Sequence, residues 1–133
     1  MTLVPPSPRR VGPVTRTDIV RFAGAGGDFN PLHHDPEAAR RAGFDDVIAM
    51  GQFQAGILAG FLTDWVGVEN LRSLDVRFVA PVRLGDTIEV SATVGAVRAG
   101  LAEITLVAAV NTVAVVSAEA SVAVAVSVAA DEA

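Results

Sequence analysis

Asp28 and His33 are the two residues of this chain whose types and spacing most directly suggest chemistry. They stand five positions apart in GGDFNPLHHDPEAARRAGF, residues 26–44, on either side of an Asn-Pro turn. Such a turn can bring a carboxylate and an imidazole to one point, where the imidazole accepts a proton from a water molecule that the carboxylate orients. A structural explanation is also open, because Asp28 and Asn30 are residues that satisfy their own backbone in turns.

His34 and Asp35 follow the pair directly. With the preceding histidine they could begin a metal site, but the sequence offers no third distant ligand, and we expect no metal. Asp35 has a simpler explanation as the N-cap of a short helix, with Pro36 at its first position and Gly43 at its C-terminal turn. His34 is then expected to face solvent.

A second candidate site is the segment AMGQF, residues 49–53, where a long apolar helix is expected to begin. Backbone N–H groups at a helix start lack intrahelical partners, and the helix dipole is positive there. Gly51 would let a ligand oxygen approach these donors closely, and negative charge that develops on such an oxygen would be stabilised. A plain helix start would explain the same residues.

The helices that position these residues follow from the spacing of apolar side chains. Helical spacing predicts a first helix that Thr17 caps and that the glycines after residue 23 end. It also predicts a long central helix over residues 50–67, which is apolar on nearly every side. We expect the glycines of this central helix to let its backbone lie close against a sheet.

From Leu74 onwards the apolar residues alternate, which predicts consecutive antiparallel strands with turns near residues 95–100 and 111–112. Segment 106–130 is long and apolar, but polar residues interrupt it and valine dominates it. Valine favours strands over helices, so we expect strands here and no membrane-spanning helix. Short helices, one buried helix and a strand meander predict an α+β fold with a curved sheet around the central helix.

Composition limits the possible classes of function. A chain of 133 residues predicts one domain, and its 51% hydrophobic content predicts an oligomer that buries further apolar surface. The absence of cysteine excludes disulfides and thiolate chemistry, and a net charge of −5 argues against a nucleic-acid partner. Residues 1–13 contain several prolines where a secretory signal would be apolar, so we expect an extended or loosely attached segment and a cytoplasmic protein.

The motifs GGDFNPLHHDPEAARRAGF and IAMGQFQAGIL together resemble the MaoC-like, R-specific enoyl-CoA hydratase family (hydratase 2), which has a G-D-x-N-P-[LIV]-H signature. The stretch VRFVAPVRLGDTIEV is similar to the strand that follows the central helix of that family. The resemblance extends from about Thr15 to Val126. It implies a hotdog fold, in which an antiparallel sheet wraps a long central helix and the motif lies in an overhanging segment.

The resemblance also implies a reaction. Asp28 and His33 would activate water for addition to a trans-2-enoyl thioester, giving the (R)-3-hydroxyacyl product, or would catalyse the reverse dehydration, with Asn30 supporting their geometry. The Gly51 N–H would bind the thioester carbonyl, and Met50 and Gln52 would flank it in the substrate site. The substrate would be an acyl-CoA or an acyl-carrier-protein thioester, so coenzyme A would enter with the substrate and no other cofactor is expected.

Two departures from the family pattern bear on this interpretation. Met50-Gly51-Gln52 stands where His-Gly-Met is common, so a supporting histidine is absent and the acyl pocket or the subunit pairing is expected to differ. Gly26 stands where a serine or threonine is frequent.

Two other functions stay open, namely a hotdog thioesterase and a non-catalytic or partner subunit of a hetero-oligomeric hydratase. The stretch FLTDWVG is similar to actinobacterial members that act on long acyl or steroid side-chain thioesters, several of which are subunits of two-chain enzymes. Either a homodimer or higher oligomer, or a complex with a second hotdog chain, is therefore expected.

Overall fold

A computed structural model describes residues 3–125, in which a five-stranded antiparallel sheet packs around one long helix. The elements in chain order are β1 (Arg9–Val11), α1 (Arg16–Gly26), α2 (Pro36–Arg41), α3 (Gly51–Val66), β2 (Leu71–Phe78), β3 (Ile88–Arg98), β4 (Leu101–Val110) and β5 (Val113–Ala123). Short 3-10 turns cover Pro31–His33 and Val68–Asn70. The strand order is β1-β3-β4-β5-β2. The α+β arrangement around a central helix is confirmed.

The core lies between α3 and the inner face of the sheet. Leu58, Phe61 and Leu62 of α3 are almost completely buried. They pack into one cluster with alternate residues of three strands: Ile88, Val90, Ile104, Leu106, Val116 and Val122. Each such side chain contributes about 1.5–3 kcal/mol when it is removed from water. The position of the helix start is therefore held by the same contacts that hold the sheet together.

The expected reason for the glycines of α3 is wrong. A Cβ atom on Gly56 or Gly60 would meet no atom within 4 Å, so neither glycine is needed for contact with the sheet. Gln52 and Gly56 are exposed. Residues four apart lie on one side of a helix, so this side of α3 faces away from the buried leucines. The helix is buried against the sheet and open to solvent along the opposite side.

The N-terminal segment is extended as expected, but residues 9–11 are firmly attached. They pair antiparallel with residues 88–90 of β3. Arg9 forms an ion pair with Asp64 of α3 at 2.9 Å, and its guanidinium lies 5.4 Å from the centre of the Phe61 ring. The strand was not predictable because three residues are too few to show an alternating pattern.

The valine-rich segment forms strands as predicted: its residues 106–110 lie in β4 and residues 113–123 lie in β5. Residues 126–130 of that segment, and the C-terminal end of the family resemblance, lie outside the described residues. Across residues 3–125, every helix falls short of the length and apolar character needed to cross a bilayer.

Thr15 caps α1, so the prediction that Thr17 does so is wrong. The Thr15 hydroxyl accepts a hydrogen bond from the Asp18 N–H at 3.1 Å, and the Asp18 carboxylate accepts one from the Thr15 N–H at 2.9 Å. These hydrogen bonds with Thr15 lower the pKa of Asp18. Thr17 could not form the same box, because the residue three positions later is Val20, which has no acceptor. At the other end, Gly27 takes a left-handed φ of 68°.

Replacing Thr15 by alanine is expected to lower the free energy of unfolding by about 1 kcal/mol, because the first turn of α1 loses its cap. The matched control is Thr17→Ala, which removes the same hydroxyl from an exposed position inside the helix and should change stability by less than about 0.5 kcal/mol. Urea denaturation of both variants measures the difference, and equal losses would contradict the assignment of the cap.

Candidate active site

The loop between α1 and α2 carries Asp28 and His33, and side chains of the loop shape it. The Asp28 Oδ1 atom accepts a hydrogen bond from the Asn30 N–H at 3.3 Å, and the Asn30 Oδ1 atom accepts one from the Leu32 N–H at 3.0 Å. The Asn30 carbonyl also accepts from the His33 N–H at 3.0 Å. These local bonds, which Asp and Asn form readily, place the two candidate residues on opposite arms of one tight turn.

His33 is buried, with 8% of its surface exposed, and one of its ring nitrogens already has a partner. Its Nδ1 atom lies 2.8 Å from the carbonyl oxygen of Ile48. A carbonyl only accepts hydrogen bonds, so Nδ1 must carry a hydrogen, and in the neutral ring Nε2 is then an acceptor. The Ile48 N–H donates to the Leu32 carbonyl at 3.0 Å, so the two segments are joined on both sides of the imidazole.

The free nitrogen of His33 faces the carboxylate of Asp28. The distance from Nε2 to Oδ2 is 3.6 Å, which is longer than a direct hydrogen bond. With the ring neutral, both atoms are acceptors, so they need a donor between them, and a water molecule supplies two O–H donors. The Asp28 side chain is 42% exposed whereas the His33 side chain is 9% exposed. The pair therefore opens to solvent on the carboxylate side.

The start of α3 follows closely along the chain from Ile48, whose carbonyl is the partner of His33. Gly51 is three residues after Ile48, which limits the distance between their Cα atoms to about 11 Å. Met50 is the N-cap residue, but its backbone is extended and no side chain caps the helix. The first N–H of the helix with a backbone acceptor nearby is that of Phe53, which donates to the Met50 carbonyl at 2.9 Å. Among residues 3–125, no backbone carbonyl accepts a hydrogen bond from the Gly51 N–H.

Met50 and Gln52, the other two residues predicted to bind substrate, point in different directions. The Met50 side chain is buried in the core with 3% of its surface exposed. Gln52 is exposed on the open side of α3. Their part in substrate binding stays a prediction, whereas the Gly51 backbone is placed at the helix start as expected.

His34 and Asp35 lie beside the pair and do not join it. His34 is exposed, and its Nε2 atom donates to the Phe29 carbonyl at 3.2 Å. Asp35 caps α2 as predicted, since its Oδ1 atom accepts from the Glu37 N–H at 3.0 Å. Over residues 3–125, the structure holds no group of three or more histidine, cysteine, aspartate or glutamate side chains arranged to bind a metal.

An ion pair links α1 to the segment that leads into α3. The Arg16 guanidinium donates to the Asp46 carboxylate, which also accepts from the Val47 N–H at 2.7 Å. The hydrogen bond from Arg16, followed by that from Val47, lowers the pKa of the Asp46 carboxyl. Together with the bond from His33 to Ile48, this contact fixes the approach to Gly51 from two sides.

Phe78 also lies beside the start of α3, and the sequence pattern did not predict this position. It continues the alternation of Leu74 and Val76, which would turn it toward the core, yet 52% of its surface is exposed. Its ring lies against Gly51: a Cβ atom built on this glycine would come within 2.9 Å of the ring carbons Cδ1 and Cε1. A side chain at position 51 would therefore require the Phe78 ring to move.

A depression of about 490 Å³ lies on the outer face of the sheet, lined by residues that include Asp75, Arg77 and Glu119. Asp75 and Glu119 are directly opposite in the pairing of β2 with β5. This depression is formed by side chains that point away from α3 and from the loop, so it is a different surface from the one that holds Asp28 and His33.

Comparison with known proteins agrees with this description. The chain is 34% identical over 92 residues to the 3-oxo-4,17-pregnadiene-20-carboxyl-CoA hydratase beta subunit of Mycobacterium tuberculosis, covering 68% of this chain and 71% of that protein. Some other curated relatives are longer, and the chain spans only 29%, 43% and 26% of their lengths.

Two solved structures are similar over nearly the whole chain. The ChsH1-ChsH2 complex from Mycobacterium tuberculosis has a TM-score of 0.82 at 27% identity, with 94% of this chain and 100% of that chain covered. The (R)-hydratase from A. caviae involved in PHA biosynthesis has a TM-score of 0.79 at 25% identity, with 93% and 98% covered. These neighbours confirm the hotdog fold. A family model for the MaoC like domain matches residues 4–117, and the chain belongs to this family.

Proposed function

We propose that this chain is a hydro-lyase that adds water to a trans-2-enoyl thioester to give the (R)-3-hydroxyacyl thioester, and that also catalyses the reverse dehydration. The observation that carries the proposal is the arrangement around His33. Its Nδ1 atom is committed to the Ile48 carbonyl at 2.8 Å, and its Nε2 atom faces the Asp28 carboxylate at 3.6 Å. This arrangement suits a water molecule that donates to both residues.

The first half of the reaction uses His33 as a base. Asp28 Oδ2 accepts one hydrogen of the water and orients its lone pair, while His33 Nε2 accepts the other as the oxygen bonds to the β-carbon of the substrate. The electron pair of the double bond moves toward the thioester and forms an enolate. The imidazolium then carries a hydrogen on each ring nitrogen, and it returns the Nε2 proton to the α-carbon, which completes the addition.

The enolate oxygen needs a donor, and the Gly51 N–H supplies it. The start of α3 has no side-chain cap, and the helix dipole adds positive potential at that end. A well-placed donor to a developing oxyanion is worth about 10²–10³-fold in rate. Asn30 supports the pair indirectly, because its side chain caps the turn that carries His33.

The substrate in this proposal is an acyl-CoA or an acyl-carrier-protein thioester, and no metal or further cofactor takes part. The names of similar proteins support the substrate class, since one is a subunit of a CoA thioester hydratase and another is an (R)-hydratase. The chemistry also needs nothing more: every proton that moves comes from water and passes through His33.

Asp28→Asn is expected to lower kcat for crotonyl-CoA hydration by about 10²–10⁴-fold, because the carboxylate acceptor for water is lost. The asparagine keeps an Oδ1 acceptor for the Asn30 N–H, so the turn is retained. His34→Gln is the matched control: it changes the only other histidine, keeps a donor for the Phe29 carbonyl, and should retain wild-type activity. Loss of the enoyl-thioester absorbance reports the rate, and full activity of Asp28→Asn would refute the assignment.

His33→Ala is expected to lose activity and also stability. Removing the ring leaves the Ile48 carbonyl without its buried donor, which costs about 1–3 kcal/mol. Asp28→Asn, at a more exposed position, should unfold at nearly the same urea concentration as the wild type. Urea denaturation therefore separates the two variants, and equal stability of both would contradict the bond between His33 and Ile48.

A second candidate function is that of a partner subunit in a hetero-oligomeric hydratase. Two observations favour it: similar proteins include a beta subunit and a two-chain complex, and the open side of α3 exposes Gln52 and Gly56. Activity that appears only after a second hotdog chain is added would assign this role, and Asp28→Asn in that complex would show which chain carries the reaction. Release of free coenzyme A thiol in the same assay would instead identify a thioesterase.

A further inference from the structure

The contact between Phe78 and Gly51 places an aromatic ring at the start of α3. A Cβ atom on Gly51 would lie 2.9 Å from both Cδ1 and Cε1 of the ring and 3.4 Å from Cζ. Three successive ring carbons therefore border the glycine along one edge of the ring. Phe78 as a whole is 52% exposed.

The end of β2 holds Phe78 in this position. Phe78 is the last residue of β2 and pairs with Val116 of β5. Beyond it, the N–H groups of Val79 and Ala80 both donate to the Val115 carbonyl, at 2.9 and 3.2 Å. These two bonds tie the chain that follows β2 to β5.

We propose that Phe78 is a specificity-determining residue, whose ring limits the bulk that an acyl group can carry at the α-carbon, next to the thioester carbonyl. The inference rests on the proposed function, because it takes the Gly51 N–H as the donor to that carbonyl. The preference that this predicts is for an enoyl thioester that carries no substituent at the α-carbon.

The geometry of a thioester gives the reason. A carbonyl oxygen that accepts from the Gly51 N–H lies about 3 Å from this nitrogen. The α-carbon is bonded to the carbonyl carbon. The α-carbon and a methyl group attached to it can therefore contact atoms that border Gly51. Phe78 is such a neighbour, and its ring meets even one added carbon on the glycine at 2.9 Å. One extra methyl group in contact with the ring is expected to change selectivity about 10-fold or more.

The kinetic test compares trans-2-butenoyl-CoA with its 2-methyl derivative. The wild type should prefer the unbranched substrate, and Phe78→Ala should raise kcat/KM for the branched substrate relative to the unbranched one by at least about 10-fold. Val97→Ala is the matched control. Val97 is 56% exposed and apolar, and strand pairing places it at the opposite end of the sheet from Phe78. An unchanged ratio in Phe78→Ala would overturn the inference.

A binding test separates this inference from the proposed reaction. Calorimetry with butyryl-CoA and 2-methylbutyryl-CoA, which differ only by a methyl group at the α-carbon and lack the double bond that is hydrated, should give tighter binding of butyryl-CoA. Phe78→Ala should remove the preference. If this result is obtained while no hydration is detected, the proposed function fails and the role of Phe78 stands. If hydration is normal but the preference survives in Phe78→Ala, the role of Phe78 fails and the proposed function stands.

A double variant tests independently whether the Phe78 ring controls the space at Gly51. Gly51→Ala keeps the backbone N–H but adds the carbon that collides with Phe78, so butyryl-CoA binding should weaken. Combining it with Phe78→Ala removes the collision and should restore at least part of the affinity. No recovery in the double variant would contradict the claim that the ring controls the space at Gly51.

Discussion

The hydrogen bond from His33 Nδ1 to the Ile48 carbonyl is the interaction on which the candidate site depends. It joins the loop after α1 to the segment before α3, so the two parts of the site are positioned relative to one another. It also places the ring hydrogen on Nδ1, which leaves Nε2 as the acceptor toward Asp28. Geometry and protonation are therefore set by one buried contact between a side chain and a main-chain carbonyl.

The order of the elements was predictable from the sequence, because helical spacing and strand alternation are properties of the chain itself. The bounds of α3 and the cap of α2 were also correct, since each depends on residues within one turn. The cap of α1 was assigned wrongly because two threonines compete, and only Thr15 has an acidic residue three positions later. The attachment of β1 depends on its pairing with β3, which lies far away in sequence.

In the candidate site, too, some features were predictable from the sequence and others were not. Asp28, Asn30 and His33 come together through a turn whose bonds are local, so their spacing alone suggested that they would meet. The partner of His33 could not be predicted, because the Ile48 carbonyl carries no signal in its side chain. Phe78 was also missed: its alternation suggested burial, and its contact with Gly51 arises only when β2 and α3 are packed together.

The tautomer of His33 tests this account most directly. Long-range ¹H–¹⁵N NMR correlation can record it at a pH where the ring is neutral, and comparison with His34→Gln assigns the signals, because the chain has only 2 histidines. The account predicts a hydrogen on Nδ1 and a bare Nε2. A neutral ring that carries its hydrogen on Nε2 would mean that the Ile48 carbonyl is not the partner and that His33 cannot accept a proton from water beside Asp28.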